Sequence, residues 1–264
     1  MGRYGMEMEA YGRTDIGPVR QGNEDTLLID LSNGVFAVAD GMGGHAAGEV
    51  ASEMAIEAVH STLVGASDPD ETRLARETGV EDSADILRER LRYAMNQASV
   101  QIRRAADKNP EQRGMGTTLV VLVVDGDQAH LAHVGDSRAY LFRDGRLTRL
   151  TRDHTVVQQE VDAGRLTPEL ARMLPHKNVL TQSVGFHGLV EPDTTTRMVL
   201  PGDRFILCSD GLSDPLDDQE IERIVSSTPL DLLCDALVEE ALRAGGEDNV
   251  TVVALEVSGG AALF

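Results

Sequence analysis

The chain has 264 residues, 41% of them hydrophobic and only 3% aromatic, enough for one sizeable core or two small ones. It carries 44 Asp and Glu against 24 Lys and Arg, a formal net charge of −20, which argues against binding a nucleic-acid backbone. No apolar run approaches the roughly 20 residues that span a bilayer, and the N-terminus "MGRYGMEMEAYGR" lacks the apolar core of a signal peptide. Cys208 and Cys234 lie in strand and helix patterns rather than in a disulfide framework, so reduced thiols in a cytoplasmic protein are expected.

In chain order, Val35 to Ala39 form a buried strand that ends on Asp40. A helical period follows over 46–64, with apolar or small residues at 50/51, 54/55, 58/59 and 62/63. It returns over 84–106 through Leu87, Leu91, Ala94, Ala98, Ile102 and Ala105. The acidic stretch "GASDPDETRLARETGVEDSAD" between them reads as a surface excursion joining two antiparallel helices. The period then changes to strands across "TTLVVLVVDGDQAHLAHVGDSRAYLFRDGRLTRL". Asp125-Gly126 and Asp144-Gly145 cut this run as hairpin turns with both residues at positive φ, and an antiparallel meander is expected. Residues 153–188 are more polar, with short helical pieces around "TVVQQEVDAG" and "TPELARML". Strands resume near 194–200 and 203–209. A last helix begins with Pro229 at its first position, aligns Leu230, Leu233 and Leu237, and stops at Gly245-Gly246. Val250 to Val257 close the chain as a strand. Helix pairs and antiparallel strands fall in separate blocks, which disfavours a doubly wound parallel sheet. One domain over 1–264 is expected, with a small inserted flap at about 153–184.

The chemistry is carried by acids at strand ends. "VFAVADGMGGHAAGE" places Asp40 after a buried run, "RFILCSDGLSD" does the same with Asp210, and Asp248 in "GGEDNVTVVALEV" directly precedes another apolar strand. Any one Asp-Gly is explained as a turn residue whose side chain caps the backbone. Three such sites together with "RQGNED" point elsewhere. If the three carboxylates converge, their repulsion forces protonation or demands a cation. Hard divalent ions with oxygen ligands, magnesium or manganese, suit a cluster without thiolates. Two such ions sharing a water would lower its pKa and generate a hydroxide nucleophile near neutral pH. Spacing alone does not show that the acids meet.

The ordered set "TDIGPVRQGNEDT", "VADGMGGHAAGE", "GMGTTLV", "HVGDSRAYLF", "RDHT", "LTQSVG", "LCSDGLSD" and "GGEDNVTVV" resembles the PPM family. These are metal-dependent, type 2C serine/threonine protein phosphatases, and the bacterial branch fits best. The resemblance runs from about Tyr11 to Val257. It implies an α+β fold, a four-layer α-β-β-α sandwich in which helix pairs flank two central antiparallel sheets. Residue by residue, it implies that Asp40 bridges two catalytic manganese or magnesium ions and that Gly41 offers one of them its carbonyl. Asp210 and Asp248 match the other carboxylate ligands. Glu24 matches an acid that reaches a metal through water, and Asp25 and Asn249 support the site. Asp136 of "GDSRAY" matches a ligand of a third, weaker ion, with a turn residue as its plainer reading. Arg20 matches the arginine that grips the phosphoryl group through a two-pronged fork.

Arg138 is expected to be a structural ion-pair partner, His130 and His133 packed or hydrogen-bonded core residues, and His154 the start of a flap helix. Many eukaryotic members place an acid histidine where this chain has Met42, so leaving-group protonation falls to His45 or to a metal-bound water. "LTQSVG" and Leu174-Pro175 also depart from common bacterial patterns, both in or beside the flap. The resemblance implies hydrolysis of phosphoserine and phosphothreonine esters, phosphoprotein substrates, an opposing bacterial Ser/Thr kinase and a monomeric state. A catalytically silent phosphoprotein-binding module of the same fold is the alternative, and intact Arg20, Asp40, Asp210 and Asp248 argue against it. A two-metal nuclease conflicts with the acidic charge.

Overall fold

The computed structural model describes residues 6–43, 46–65, 83–185 and 189–259. Its first half contains β1 (Met6–Asp15), β2 (Asp25–Asp30), β3 (Val35–Met42), α1 (Ala46–Val64), α2 (Ser83–Lys108), β4 (Gly116–Thr117) and β5 (Leu119–Asp125). There follow β6 (Gln128–Val134), β7 (Arg138–Arg143), β8 (Arg146–Arg149), α3 (Val156–Asp162), α4 (Pro168–Arg172) and β9 (Asp193–Met198). The chain closes with β10 (Arg204–Cys208), α5 (Asp210–Ser213), α6 (Asp218–Ser227), α7 (Leu230–Arg243) and β11 (Val250–Gly259). One sheet runs β1-β11-β10-β7-β8 and the other β2-β3-β5-β6-β9, with β4 pairing to β3. Every pairing is antiparallel.

Strand periodicity explains the layers. Successive side chains of a strand point to opposite faces, and here both faces are apolar. On β3, Phe36 and Val38 face the interior between the sheets, whereas Val35, Ala37 and Ala39 face α1 and α2. On β11, Val253, Leu255 and Val257 face the other sheet, and Val250, Val252 and Ala254 face α6 and α7. Helix α1 presents Ala51, Ala55 and Val59, and α2 presents Leu91, Met95 and Ile102, to one sheet. Helix α7 presents Leu233 and Leu237 to the other. Small residues on α1 let it approach the sheet closely. The result is the expected four-layer α-β-β-α sandwich.

The meander is corrected. Its two hairpins lie in different sheets, because β6 ends one sheet's hairpin and β7 begins the other's. The chain crosses between sheets at Gly135-Asp136-Ser137, where Gly135 has φ 103°. Only the second hairpin has the expected turn: Asp144 and Gly145 adopt φ 52° and 76°. In the first, β5 continues through Asp125, which pairs with Gln128, and the positive φ of 62° falls on Gly126 alone.

Two helix starts also shift by one residue. Pro229 is the N-cap of α7 rather than its first residue, consistent with a proline that has no N–H to donate. Thr155, not His154, caps α3 by accepting from the Gln158 N–H. Strands β1 and β2 and helix α6, which carries a reciprocal cap between Asp217 and Glu220, were not singled out by the sequence reading. Residues 66–82 of the acidic excursion lie outside the described residues.

Candidate metal centre

The acids meet at one end of the sandwich. Asp25 opens β2 directly opposite Asp40 on β3. Asp210 follows β10, Asp248 precedes β11, and Asp136 lies in the crossing between sheets. Asp25 and Asp136 are buried, at 8% exposure each. Asp40, Asp210 and Asp248 are half-buried, with one side open.

The backbone around Asp40 is clamped. Its N–H donates to Thr118 Oγ1 (3.1 Å), and its carbonyl accepts from the Thr118 N–H (2.9 Å) and the Thr117 hydroxyl (2.8 Å). Ser137 shares a hydrogen bond of 2.6 Å with Thr118 Oγ1, linking the Asp136 loop to the same clamp. Gly41 donates its N–H to the Glu24 carbonyl at 3.1 Å. A Cβ at Gly41 would collide with the Gly48 and Glu24 carbonyl oxygens, and one at Gly48 with the Glu24 carboxylate. Only glycine permits this approach of α1, β3 and the Glu24 segment. Asn249 closes the opposite side. Its side-chain oxygen accepts from the Glu24 N–H (2.8 Å), and its amide donates to the Ile16 and Gly22 carbonyls.

Electrostatics single out this cluster. Burial, reinforced by neighbouring carboxylates, pushes Asp40 and Asp136 well above the usual carboxylate range. Burial also lifts Asp25 to about 7, although the Ser209 and Thr251 hydrogen bonds pull the other way. Asp210 rises to about 7 through burial and the charges of Asp214 and Asp248. Ser209 donates to Asp25 Oδ2 at 2.8 Å, but Asp25 Oδ1 has no hydrogen-bond partner, and neither does Asp210 Oδ1. Buried ions cost several kcal/mol each when uncompensated, of the same order as a domain's whole stability of about 5–15 kcal/mol. Oxygen-only donors and two orphaned carboxylate oxygens therefore fit hard divalent cations.

Arg20 is exposed at the rim and its Nη2 lies 2.6 Å from Asp248 Oδ2. That places the fork beside the acids. Asp248 Oδ1 accepts from the Asn249 N–H at 2.8 Å. His45 lies outside the described residues; Met42, at the end of β3, brings no titratable group.

Sequence reasoning missed Asn178 and Asp214. Asn178 donates to Asp210 Oδ2 (3.1 Å) and Asp214 Oδ2 (2.9 Å), and Lys177 pairs with Asp214 at 3.0 Å. These contacts dock the 153–184 segment onto the acids. The signal was present: Asp210 and Asp214 are four apart in "DGLSD", one helical turn. Arg138 behaves as expected, with a bidentate grip on Asp153 at 3.0 and 2.7 Å.

A second group of metal-ligand types, His133 on β6, His154 before α3 and Asp193 on β9, has its donor atoms within 4.8 Å of one another. Three of its four ring nitrogens are already committed. The Gly135 N–H donates to His154 Nδ1 (3.2 Å), which puts the proton on Nε2, 3.3 Å from Asp193. His133 Nε2 donates to the Arg152 carbonyl at 2.9 Å. The rings stack 4.7 Å apart, and burial lowers the His133 pKa. This is a hydrogen-bonded clasp. His130 is likewise engaged, 3.1 Å from the Thr196 hydroxyl.

The family model for protein phosphatase 2C matches residues 20–244. The serine/threonine protein phosphatase PstP of Mycobacterium tuberculosis is 40% identical over 257 residues, covering 97% of this chain and 46% of that protein. The chain thus spans about half the length of that relative. Protein phosphatase PhpP of Streptococcus pneumoniae is 37% identical over 255 residues, covering 95% of this chain and 98% of that one. The crystal structure of the PstP catalytic domain in complex with two manganese ions matches with a TM-score of 0.78 and 39% identity, over 96% of this chain and 99% of that one. Staphylococcus aureus Stp1 matches with a TM-score of 0.84 and 32% identity, over 98% of both chains.

Proposed function

The chain belongs to the protein phosphatase 2C family, and from that premise we propose that it hydrolyses phosphoserine and phosphothreonine esters in proteins. The observation that carries this reading is the convergence of five aspartates, two with orphaned buried oxygens, beside the Arg20 fork. Manganese or magnesium bound there would supply Lewis acidity, polarising phosphoryl oxygens and lowering the pKa of water.

In this reading Asp40, Asp210, Asp248 and the Gly41 carbonyl would hold two ions, Glu24 would contribute through water, and Asp136 with Asp210 would hold a third, weaker one. Asp25 and Asn249 brace the ligands. Arg20 uses one nitrogen on Asp248, which leaves further guanidinium donors for the equatorial phosphoryl oxygens. Fixed donors of this kind stabilise charge as it develops. The Thr117 and Thr118 bonds hold the Asp40 backbone in place. The leaving alkoxide takes its proton from His45 or from water. Residues 153–184 act as a flap on a single domain. The biological role is to reset the products of a bacterial Ser/Thr kinase, as a monomer in the cytoplasm. Among the described residues no helix is long and apolar enough to cross a membrane.

The test is hydrolysis of a phosphothreonine peptide and of p-nitrophenyl phosphate, with manganese and with excess chelator. Turnover of both only with metal supports the reading, and inertness toward both in manganese rejects it.

A further inference from the structure

A cleft of about 680 Å³ opens between the 153–184 segment and the corner formed by α5 and α6. Its floor includes Asp136 and Asp210, so it is continuous with the reacting centre. A volume of that size suits a ligand of several hundred daltons rather than a phosphoryl group alone. From the 153–184 segment its lining includes the apolar Val157, Val161, Ala171 and Met173 among polar neighbours. Met173 is 80% exposed, and Val156, Leu170, Leu174 and Val179 of the same segment are exposed as well. Of these exposed side chains Met173 lines the cleft, and with Val157 and Val161 it offers an apolar contact there.

The charges in the cleft are unequally engaged. Arg138 is bound to Asp153, Lys177 pairs with Asp214, and Arg172 donates to the Asp214 carbonyl. The acids Glu169 and Asp217 spend their hydrogen bonds differently. Asp217 accepts from the Glu220 N–H, and Glu169 from its own backbone and the Thr167 hydroxyl. The cations, Arg149 beside Asp153 included, are therefore occupied by protein partners, while Glu169 and Asp217 have hydrogen-bond partners but no ion-pair partner among the described residues.

We propose that this cleft seats the polypeptide flanking the phosphorylated side chain and selects flanks that carry an apolar and a basic residue. The apolar side chain lies against Met173 and Val157; the basic one meets Glu169 and Asp217. The inference rests on the phosphatase reading and deepens it by naming the substrate class.

The experiment compares kcat/KM for two phosphothreonine peptides, one flanked by Leu and Lys and one by Asp and Ser, with p-nitrophenyl phosphate as reference. The wild-type protein should favour the Leu/Lys peptide by about tenfold, the discrimination one apolar contact and one charge contact supply. Met173→Glu and Glu169→Lys, both at exposed positions, should each lower the ratio of Leu/Lys-peptide to aryl-phosphate kcat/KM several-fold. The Glu169→Lys loss should be larger at low salt. Equal hydrolysis of both peptides, with ratios in both variants within twofold of wild type, overturns the cleft assignment and leaves the phosphatase reading intact. Failure of the wild-type protein on every substrate in manganese overturns the phosphatase reading, and the cleft assignment with it.

Discussion

Two clusters among the described residues hold side chains of metal-ligand type, and they differ in what their lone pairs are doing. At the strand ends, Asp25, Asp40, Asp136, Asp210 and Asp248 crowd one another, and Asp25 Oδ1 and Asp210 Oδ1 have no partner. In the other cluster, His133 and His154 stack with three of their four ring nitrogens already given to the Arg152 carbonyl, the Gly135 N–H and Asp193. Composition would favour the histidines as a transition-metal site. Hydrogen bonding says otherwise. Putting a metal on His154 Nε2 would move its proton to Nδ1, against the Gly135 donor. The orphaned oxygens of the acids are the ones that the proposed reading assigns to a cation.

The sharpest way to break this contrast is to remove acids. Asp40→Asn and Asp210→Asn should each nearly abolish turnover, by more than the roughly 10–100-fold cost of losing an outer-shell partner. Both should stay folded, since each loses a charge from a repulsive cluster. Steady-state kinetics alongside circular dichroism reads both. A folded, fully active Asp210→Asn would contradict the account.

Arg20 comes next. Arg20→Ala should lower kcat/KM by about 10², from the loss of charge-assisted hydrogen bonds to the phosphoryl group. Manganese affinity should change far less, and titration calorimetry separates the two effects.

The third prediction uses pH. Below about pH 4 the acids are protonated in both folded and unfolded chains. Between there and about 7, the unfolded chain releases protons that Asp25 and Asp210 retain in the fold. The folded state then binds more protons, so stability falls as pH rises, by up to about 1.4 kcal/mol per pH unit for each group. Metal-stripped protein should melt lower at pH 8 than at pH 5.5, and Asp25→Asn should flatten that decline. Added manganese should restore the melting temperature at pH 8, because a ligand of the folded state stabilises it. A metal-free melting temperature that climbs across this range contradicts the cluster's electrostatics.

The smallest effect belongs to the histidine clasp. His154→Gln should cost about 1–2 kcal/mol through the lost Gly135 and Asp193 contacts and leave manganese stoichiometry unchanged. Chemical denaturation and metal titration measure the two parts.

The legible parts of the fold were those written in local periodicity. The two-faced apolar strands β3 and β10 and the helices α1 and α2 follow from spacing, as does the Asp144-Gly145 turn. The split of the meander between two sheets did not, because both strands flanking Gly135-Asp136-Ser137 are equally apolar and pairing partners are set by tertiary packing. Acids at strand ends were visible one at a time, and their convergence entered through resemblance to a family. Asn178 and Lys177 were invisible as site residues. They lie in a polar segment without strong periodicity, and only docking of that segment brings them to Asp210 and Asp214.

The most direct measurement counts manganese bound by metal-stripped protein, using the electron paramagnetic resonance signal of free and bound ion. The account predicts at least two ions per wild-type chain, a marked loss of binding in Asp40→Asn, and wild-type binding in His154→Gln. Binding that survives Asp40→Asn and disappears with His154→Gln would place the metal in the other cluster and contradict the account.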